Sequence, residues 1–218
     1  VKDAEETFPS DHTYIATSMN LLGTLYRTYG RFEEAEPLFR QALTIYEEGL
    51  GSDHPKVAVV LQNLADMYLA QDKYAEAEPL YKQTLTIYES AFGPDDPSVV
   101  DALNSLGGLF QDQGKYSEAV PLYEKALKIE EKSLGSDHPN VATALNNLAT
   151  LQYHLGENMK AESLYKRALE IYEKTYGNDH PFVATVLVNL VNFYEGTGER
   201  DKADKVAERV KQIQSKYE

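Results

Sequence analysis

Apolar and polar positions return along this chain with a period of 42 residues. Ile15, Val57, Val99, Val141 and Val183 share one phase, Leu22, Leu64, Leu106, Leu148 and Leu190 a second, and Ala35, Ala77, Ala119, Ala161 and Ala203 a third. Three residues before the first set stand His12, His54, Asp96, His138 and His180. A fixed period of this size marks a repeat array, in which each unit buries its apolar face by stacking on its neighbours. The pattern predicts one array over 1–218 with repeats at 12–53, 54–95, 96–137, 138–179 and 180–218. Residues 1–11 read as the tail of a preceding repeat, because Glu5, Glu6, Phe8, Ser10 and Asp11 match Glu47, Glu48, Leu50, Ser52 and Asp53 one period on.

Each repeat carries two helical stretches. In repeat 54–95, Pro55 suits a first helical position, where its missing N–H costs nothing, with Asp53 or His54 as the cap. Val57, Leu61, Leu64 and Tyr68 then follow at the spacing of one helix face. A break comes at 71–73, where the phase of Asp72 is glycine in the other repeats (Gly30, Gly114, Gly156, Gly198), as a left-handed helix stop requires. Tyr74, Ala77, Leu80, Tyr81, Thr84, Leu85, Ile87 and Tyr88 make the second helix, ended by Gly93 and Pro94. The predicted pairs are 13–29 with 32–49, 55–70 with 74–91, 97–112 with 116–133, 139–154 with 158–175, and 181–196 with 200–216, and nothing reads as strand. Lys211, where earlier repeats have Leu43, Leu85, Leu127 and Leu169, gives the last helix a wet face and predicts a capping repeat.

Leu145, Leu148, Ala149, Gly156, Ala161, Tyr165 and Ala168 fall at the spacings of the tetratricopeptide signature. The 42-residue form, with G-x-D-H-P-x-V-A before L-N-N-L-A, G-K-Y-x-E-A and L-Y-x-x-A-L-x-I, resembles the repeats of kinesin light chains and their relatives over 12–218. The resemblance implies an all-α fold, a right-handed α-solenoid of stacked antiparallel helix pairs, and a non-enzymatic scaffold for protein–protein interaction. A structural or self-associating array, joined through its N-terminal repeat edge, and a regulatory arm of a larger signalling protein or enzyme are the alternatives.

Charge narrows the partner class. The net charge of -14, from 35 Asp and Glu against 21 Lys and Arg, opposes binding to nucleic-acid phosphates or anionic lipid. No apolar stretch approaches a membrane span. With no cysteine there are no thiolate ligands or nucleophiles, and cytoplasmic location stands only as a default. The recurring histidines do not suggest a metal site. Equivalent residues on successive helices lie at least about 8–10 Å apart, whereas zinc needs nitrogens about 2.0–2.1 Å from one centre. No nucleophile pattern, phosphate loop, cofactor or metal motif is present. The Tyr81, Tyr88, Tyr123, Tyr165 and Tyr172 stripe reads as core packing on the second helices.

On the first helices the apolar phases sweep about half the circumference. By resemblance to tetratricopeptide stacks, the remaining arc faces a concave groove, predicted to bind an extended peptide or protein segment. The candidate residues are Arg27, Asn63, Asp66, Asp101, Ser105, Gly108, Gln111, Thr143, Asn147, Thr150, Tyr153, Asn189 and Asn192. Asn63, Asn147 and Asn189 share one phase. A carboxamide offers two donors and an acceptor, suited to a peptide backbone, although duplicated repeats also inherit residues without use. Kinesin light chains are similar in placing Asn at this phase. They use the groove for acidic peptides carrying a Trp, with Lys or Arg at the phases held here by Thr17, Val59, Asp101, Thr143 and Thr185 and by Arg27, Leu69, Gln111, Tyr153 and Glu195. Only Arg27 among those ten is cationic. With Asp66, Asp101 and Glu195 against it, the groove is expected to prefer neutral or basic peptides.

Overall fold

The computed structural model describes residues 9–217, and side chains from His12 onward. The tail assigned to 1–11 lies largely outside the described residues. Ten α-helices follow one another, and no strand occurs among the described residues. They are α1 (Pro9–Thr28), α2 (Phe32–Leu50), α3 (Pro55–Leu69), α4 (Tyr74–Phe92), α5 (Val100–Asp112), α6 (Tyr116–Leu134), α7 (Pro139–His154), α8 (Asn158–Tyr176), α9 (Pro181–Gly196) and α10 (Arg200–Gln214). A short 3-10 turn, Pro97–Val99, leads into α5. The chain divides into two compact units, Val1–Leu109 and Phe110–Glu218. In unit 1, α1 packs on α2 and α3 on α4; in unit 2, α7 packs on α8, α9 on α10 and α6 on α7. Loops of a few residues join the members of each pair, which makes them antiparallel neighbours.

The helix starts show how local chemistry sets the frame. His54, His138 and His180 are extended N-caps whose Nδ1 accepts the backbone N–H two residues on, at 3.1, 3.2 and 3.2 Å. Asp96 does the same with its carboxylate at 2.9 Å. The choice between Asp53 and His54 therefore falls to His54. Proline follows each of these caps and biases the preceding residue toward extended backbone. Thr13 replaces proline in the first repeat, and there α1 runs unbroken from Pro9, so His12 lies inside a helix and does not cap one.

At the other end of the first helices, Asp72 takes the left-handed conformation at φ 57°, where Gly30, Gly114, Gly156 and Gly198 stand in the other repeats. The core sits between the helices at the predicted phases. Ala35, Ala77, Ala119, Ala161 and Ala203 are buried, as are Leu64, Leu106, Leu148 and Leu190, while Leu22 is 41% exposed. In α10 only Ala203, Val210 and Ile213 are buried, and Lys205 and Lys211 are exposed.

Candidate functional site

The candidate residues divide between the units: Arg27, Asn63, Asp66, Asp101, Ser105 and Gly108 in unit 1, and Gln111, Thr143, Asn147, Thr150, Tyr153, Asn189 and Asn192 in unit 2. All lie on first helices of their repeats. Asp101, Thr143 and Asn192 are exposed and the others half-buried.

In unit 1, two candidates are bound to each other. Arg27 Nη1 donates to Asp66 Oδ2 at 3.1 Å, with both side chains about three-quarters buried. Asp66 Oδ1 accepts from the Tyr81 hydroxyl at 2.7 Å. The Tyr81 ring is 1% exposed, so the tyrosine is core with a polar tip that fixes the Asp66 carboxylate. Asn63 Nδ2 donates to Asn20 Oδ1 at 3.0 Å, and Gln62 Nε2 donates to Ser105 Oγ at 2.6 Å and makes a long contact, 3.5 Å, to Asp66 Oδ1. Asn63, Asp101 and Ser105 come together around a cavity of about 530 Å³ whose wall also includes Val59, Gln62, Tyr88, Ser98 and Asn104. Burial, and then the Asp101 charge, push the Tyr88 hydroxyl up from its ordinary pKa.

Unit 2 repeats the scheme with neutral groups. Thr150 Oγ1 and the Tyr165 hydroxyl share a hydrogen bond of 2.9 Å, and Thr143 Oγ1 and the Tyr172 hydroxyl one of 2.7 Å. Asn189 Nδ2 donates to Asn146 Oδ1 at 2.9 Å. Tyr153 meets the Phe193 ring edge-on at 5.4 Å, and its hydroxyl occupies space that a Cβ on Gly196 would need, 1.7 Å from that position. No contact of the Asn147, Gln111 or Asn192 side chain adds to this picture.

The amide pairs are what sequence reasoning missed. Asn20, Gln62, Asn104 and Asn146 share the phase just before the candidate asparagines, an amide in four of five repeats. In Asn20–Asn63, Gln62–Ser105 and Asn146–Asn189 that residue bonds to the next first helix, 43 residues on. The recurrence was the available signal. It identifies a cross-repeat rung that uses one amide hydrogen of Asn63 and of Asn189 and leaves the second hydrogen and the carbonyl for another partner.

A second inter-repeat contact lies on the other side of the first helices. Tyr68 OH donates to Glu36 Oε1 at 2.8 Å, and Tyr194 OH to Glu162 Oε1 at 2.8 Å. Lys166, Tyr194 and Lys202 hold the Glu162 carboxyl down to about 2, while burial and Glu162 push Tyr194 up to about 12. Among the described residues no cluster of three or more His, Asp or Glu could hold a metal ion, and no helix is long and apolar enough to cross a membrane.

The comparisons agree with this architecture. A family model described as "Tetratricopeptide repeat" matches residues 3–48, 14–90, 56–132, 98–174 and 147–216. No curated protein matches significantly. Among solved structures, the nearly identical TPR-like repeats of a candidate kinesin light chain from Podosopora anserina are 28% identical, with a TM-score of 0.84, covering 97% of this chain and 99% of that one. BtubC (BKLC) from P. vanneervenii is 24% identical, with a TM-score of 0.83, over 96% of this chain and 83% of that one. A Rap protein complexed with competence and sporulation factor is 19% identical, with a TM-score of 0.65, over 90% and 53%. At those last two identities the likeness is one of fold alone. The family model spans nearly the whole sequence, and the chain belongs to the tetratricopeptide repeat family, an all-α solenoid scaffold of the kind typical of protein–protein interaction.

Proposed function

We propose that the polar arc of the first helices binds an extended peptide segment of a protein partner, without catalysis. The observation that carries this reading is the way groove residues are held. Asp66, Thr143 and Thr150 each bond to a second-helix tyrosine hydroxyl, and Asn63 and Asn189 are each fixed by a neighbouring amide. Side chains oriented in advance lose less freedom when a ligand arrives, and each fixed amide retains a donor and an acceptor suited to a peptide group. The Arg27–Asp66 pair neutralises the one cation of the arc, which leaves no free positive charge to attract acidic cargo of the kinesin-light-chain kind.

A library of extended ten-residue peptides, screened by NMR against side-chain amide resonances, tests this. Binders are expected to shift Asn63, Asn147 and Asn189, and Asn147→Ala is expected to weaken them several-fold while leaving the melting temperature within a few degrees. Binders that perturb only outer second-helix residues such as Glu48 and Lys166 would overturn the groove assignment.

A further inference from the structure

The cavity between α3, α4 and the start of α5 has a chemistry of its own. Its wall is Val59, Gln62, Asn63, Tyr88, Ser98, Asp101, Asn104 and Ser105, and no cationic side chain lines it. Asp101 is exposed, and no ion pair among the described residues engages it. Two further wall residues carry a buried amide oxygen with no hydrogen-bond partner among the described residues, Gln62 Oε1 and Asn104 Oδ1. The Gln62 amide cannot simply be turned over: its Nε2 faces Ser105 Oγ and Asp66 Oδ1, and a carboxylate only accepts. Buried polar groups in native proteins are nearly always paired, so two orphan acceptors beside one cavity call for donors. At about 530 Å³ the cavity falls within the range of small-ligand sites, roughly 300–1,000 Å³.

We propose that this cavity is a receptor for a guanidinium group, an arginine side chain of the bound partner, with Asp101 as its counter-ion and the Gln62 and Asn104 carbonyls as further acceptors. The proposal rests on the groove reading and adds the identity of one anchoring side chain. Arginine fits better than lysine on two counts. Its planar fork offers five donors in fixed directions, matching acceptors spread over α3 and α5, whereas an ammonium is a compact, strongly hydrated point charge. The half-buried Tyr88 ring on the same wall gives the guanidinium plane an aromatic face. Terminal amide torsions are broad, so small rotations of Gln62 and Asn104 bring their oxygens to a donor seated in the cavity. The ligand's N–H groups supply the donors these orphan oxygens lack while adding a full charge opposite Asp101.

The corresponding place in unit 2 is lined by different residues. Counting 84 residues on from Ser98, Asp101 and Asn104 gives Phe182, Thr185 and Val188. The Phe182 ring stacks on Tyr172, the counterpart of Tyr88, at 5.5 Å. Thr185 and Val188 thus stand where unit 1 has the Asp101 carboxylate and the Asn104 amide, so the charged receptor is particular to unit 1.

The test uses the intact chain and three small probes, the N-acetyl N-methylamides of arginine, citrulline and lysine, titrated by NMR. Citrulline keeps the shape of arginine without its charge. The arginine probe is expected to shift the Gln62 and Asn104 side-chain amides and to bind about ten-fold or more tighter than citrulline, with lysine between, and Asp101→Asn is expected to erase the difference. Equal binding of arginine and citrulline, or shifts confined to other residues, would overturn the proposal. Because the probes are not extended peptides, this result is independent of the library screen: peptides that bind elsewhere in the groove while the arginine probe leaves Gln62 and Asn104 unmoved refute the receptor alone.

Discussion

Two stretches one repeat-pair apart, at the junction of α3–α4 with α5 and at the junction of α7–α8 with α9, share their frame and differ in their filling. Both begin on a capping side chain followed by proline, Asp96–Pro97 and His180–Pro181. Both carry a side-chain rung to the preceding first helix, Gln62–Ser105 and Asn146–Asn189. Yet Ser98, Asp101 and Asn104 leave a cavity edged with acceptors, whereas Phe182, Thr185 and Val188 place an aromatic ring on Tyr172. The repeat frame therefore fixes where side chains stand, and a handful of positions decides the chemistry each stretch of the polar arc presents.

The largest expected effect on that contrast comes from filling the unit 1 cavity. Ser98→Phe, which imports the unit 2 residue, is expected to lower affinity for arginine-bearing peptides about 10- to 100-fold, the value of a charge-assisted bond of about 1.5–3 kcal/mol. Calorimetric titration checks it, and circular dichroism should find the fold unchanged.

Next come the tyrosine hydroxyls bonded to Asp66 and Thr150. Tyr81→Phe removes a bond to a carboxylate and is expected to cost about 1.5–3 kcal/mol, while Tyr165→Phe removes one to a neutral threonine and costs about 0.5–1.5 kcal/mol. Urea titrations of both variants measure the difference, and equal losses would contradict the charged character assigned to the unit 1 groove.

The unit 2 inter-repeat carboxylate should show in the pH dependence of stability. Glu162 has a folded value near 2, below the 4.5 of an ordinary glutamate. A depressed carboxylate stabilises the folded state above the unfolded value and loses that stability as pH falls through the folded one. Glu162→Gln is thus expected to cost about 1–2 kcal/mol at neutral pH, with the gap from the unaltered chain narrowing between pH 4.5 and about 2. Thermal melts across that window read it directly.

The smallest effect is at Asp72, a non-glycine residue held at φ 57°. Asp72→Gly relieves left-handed strain and is expected to raise stability by up to about 1 kcal/mol in unit 1, offset in part by the exposed Tyr74–Asp72 hydrogen bond of 3.2 Å. Chemical denaturation measures it.

Much of the frame was legible in the sequence because stacking imposes it on every repeat. Leu64, Leu148 and Ala161 are buried where the 42-residue phases put them, and helix ends fell within a few residues except at α1, where the absence of a proline at Thr13 let the helix begin at Pro9. Whether Asp53 or His54 capped α3 depended on backbone geometry that composition does not encode. The candidate surface was legible only as a polar arc of the first helices. That Arg27 is spent on Asp66, and that Asn63 and Asn189 pair with Asn20 and Asn146, depends on how neighbouring first helices are offset. The cavity arises from three side chains being small or polar at once, a property no single phase reveals.

The central claim, that a few groove positions on a constant frame set recognition, is tested most directly by exchanging them. A chain carrying Phe182→Ser, Thr185→Asp and Val188→Asn should gain a second site for N-acetyl-arginine N-methylamide, seen by NMR as new shifts at Asn146 and Asn189, while the site at Gln62 and Asn104 is retained. A well-folded triple variant with no new shifts at Asn146 and Asn189 would contradict the account.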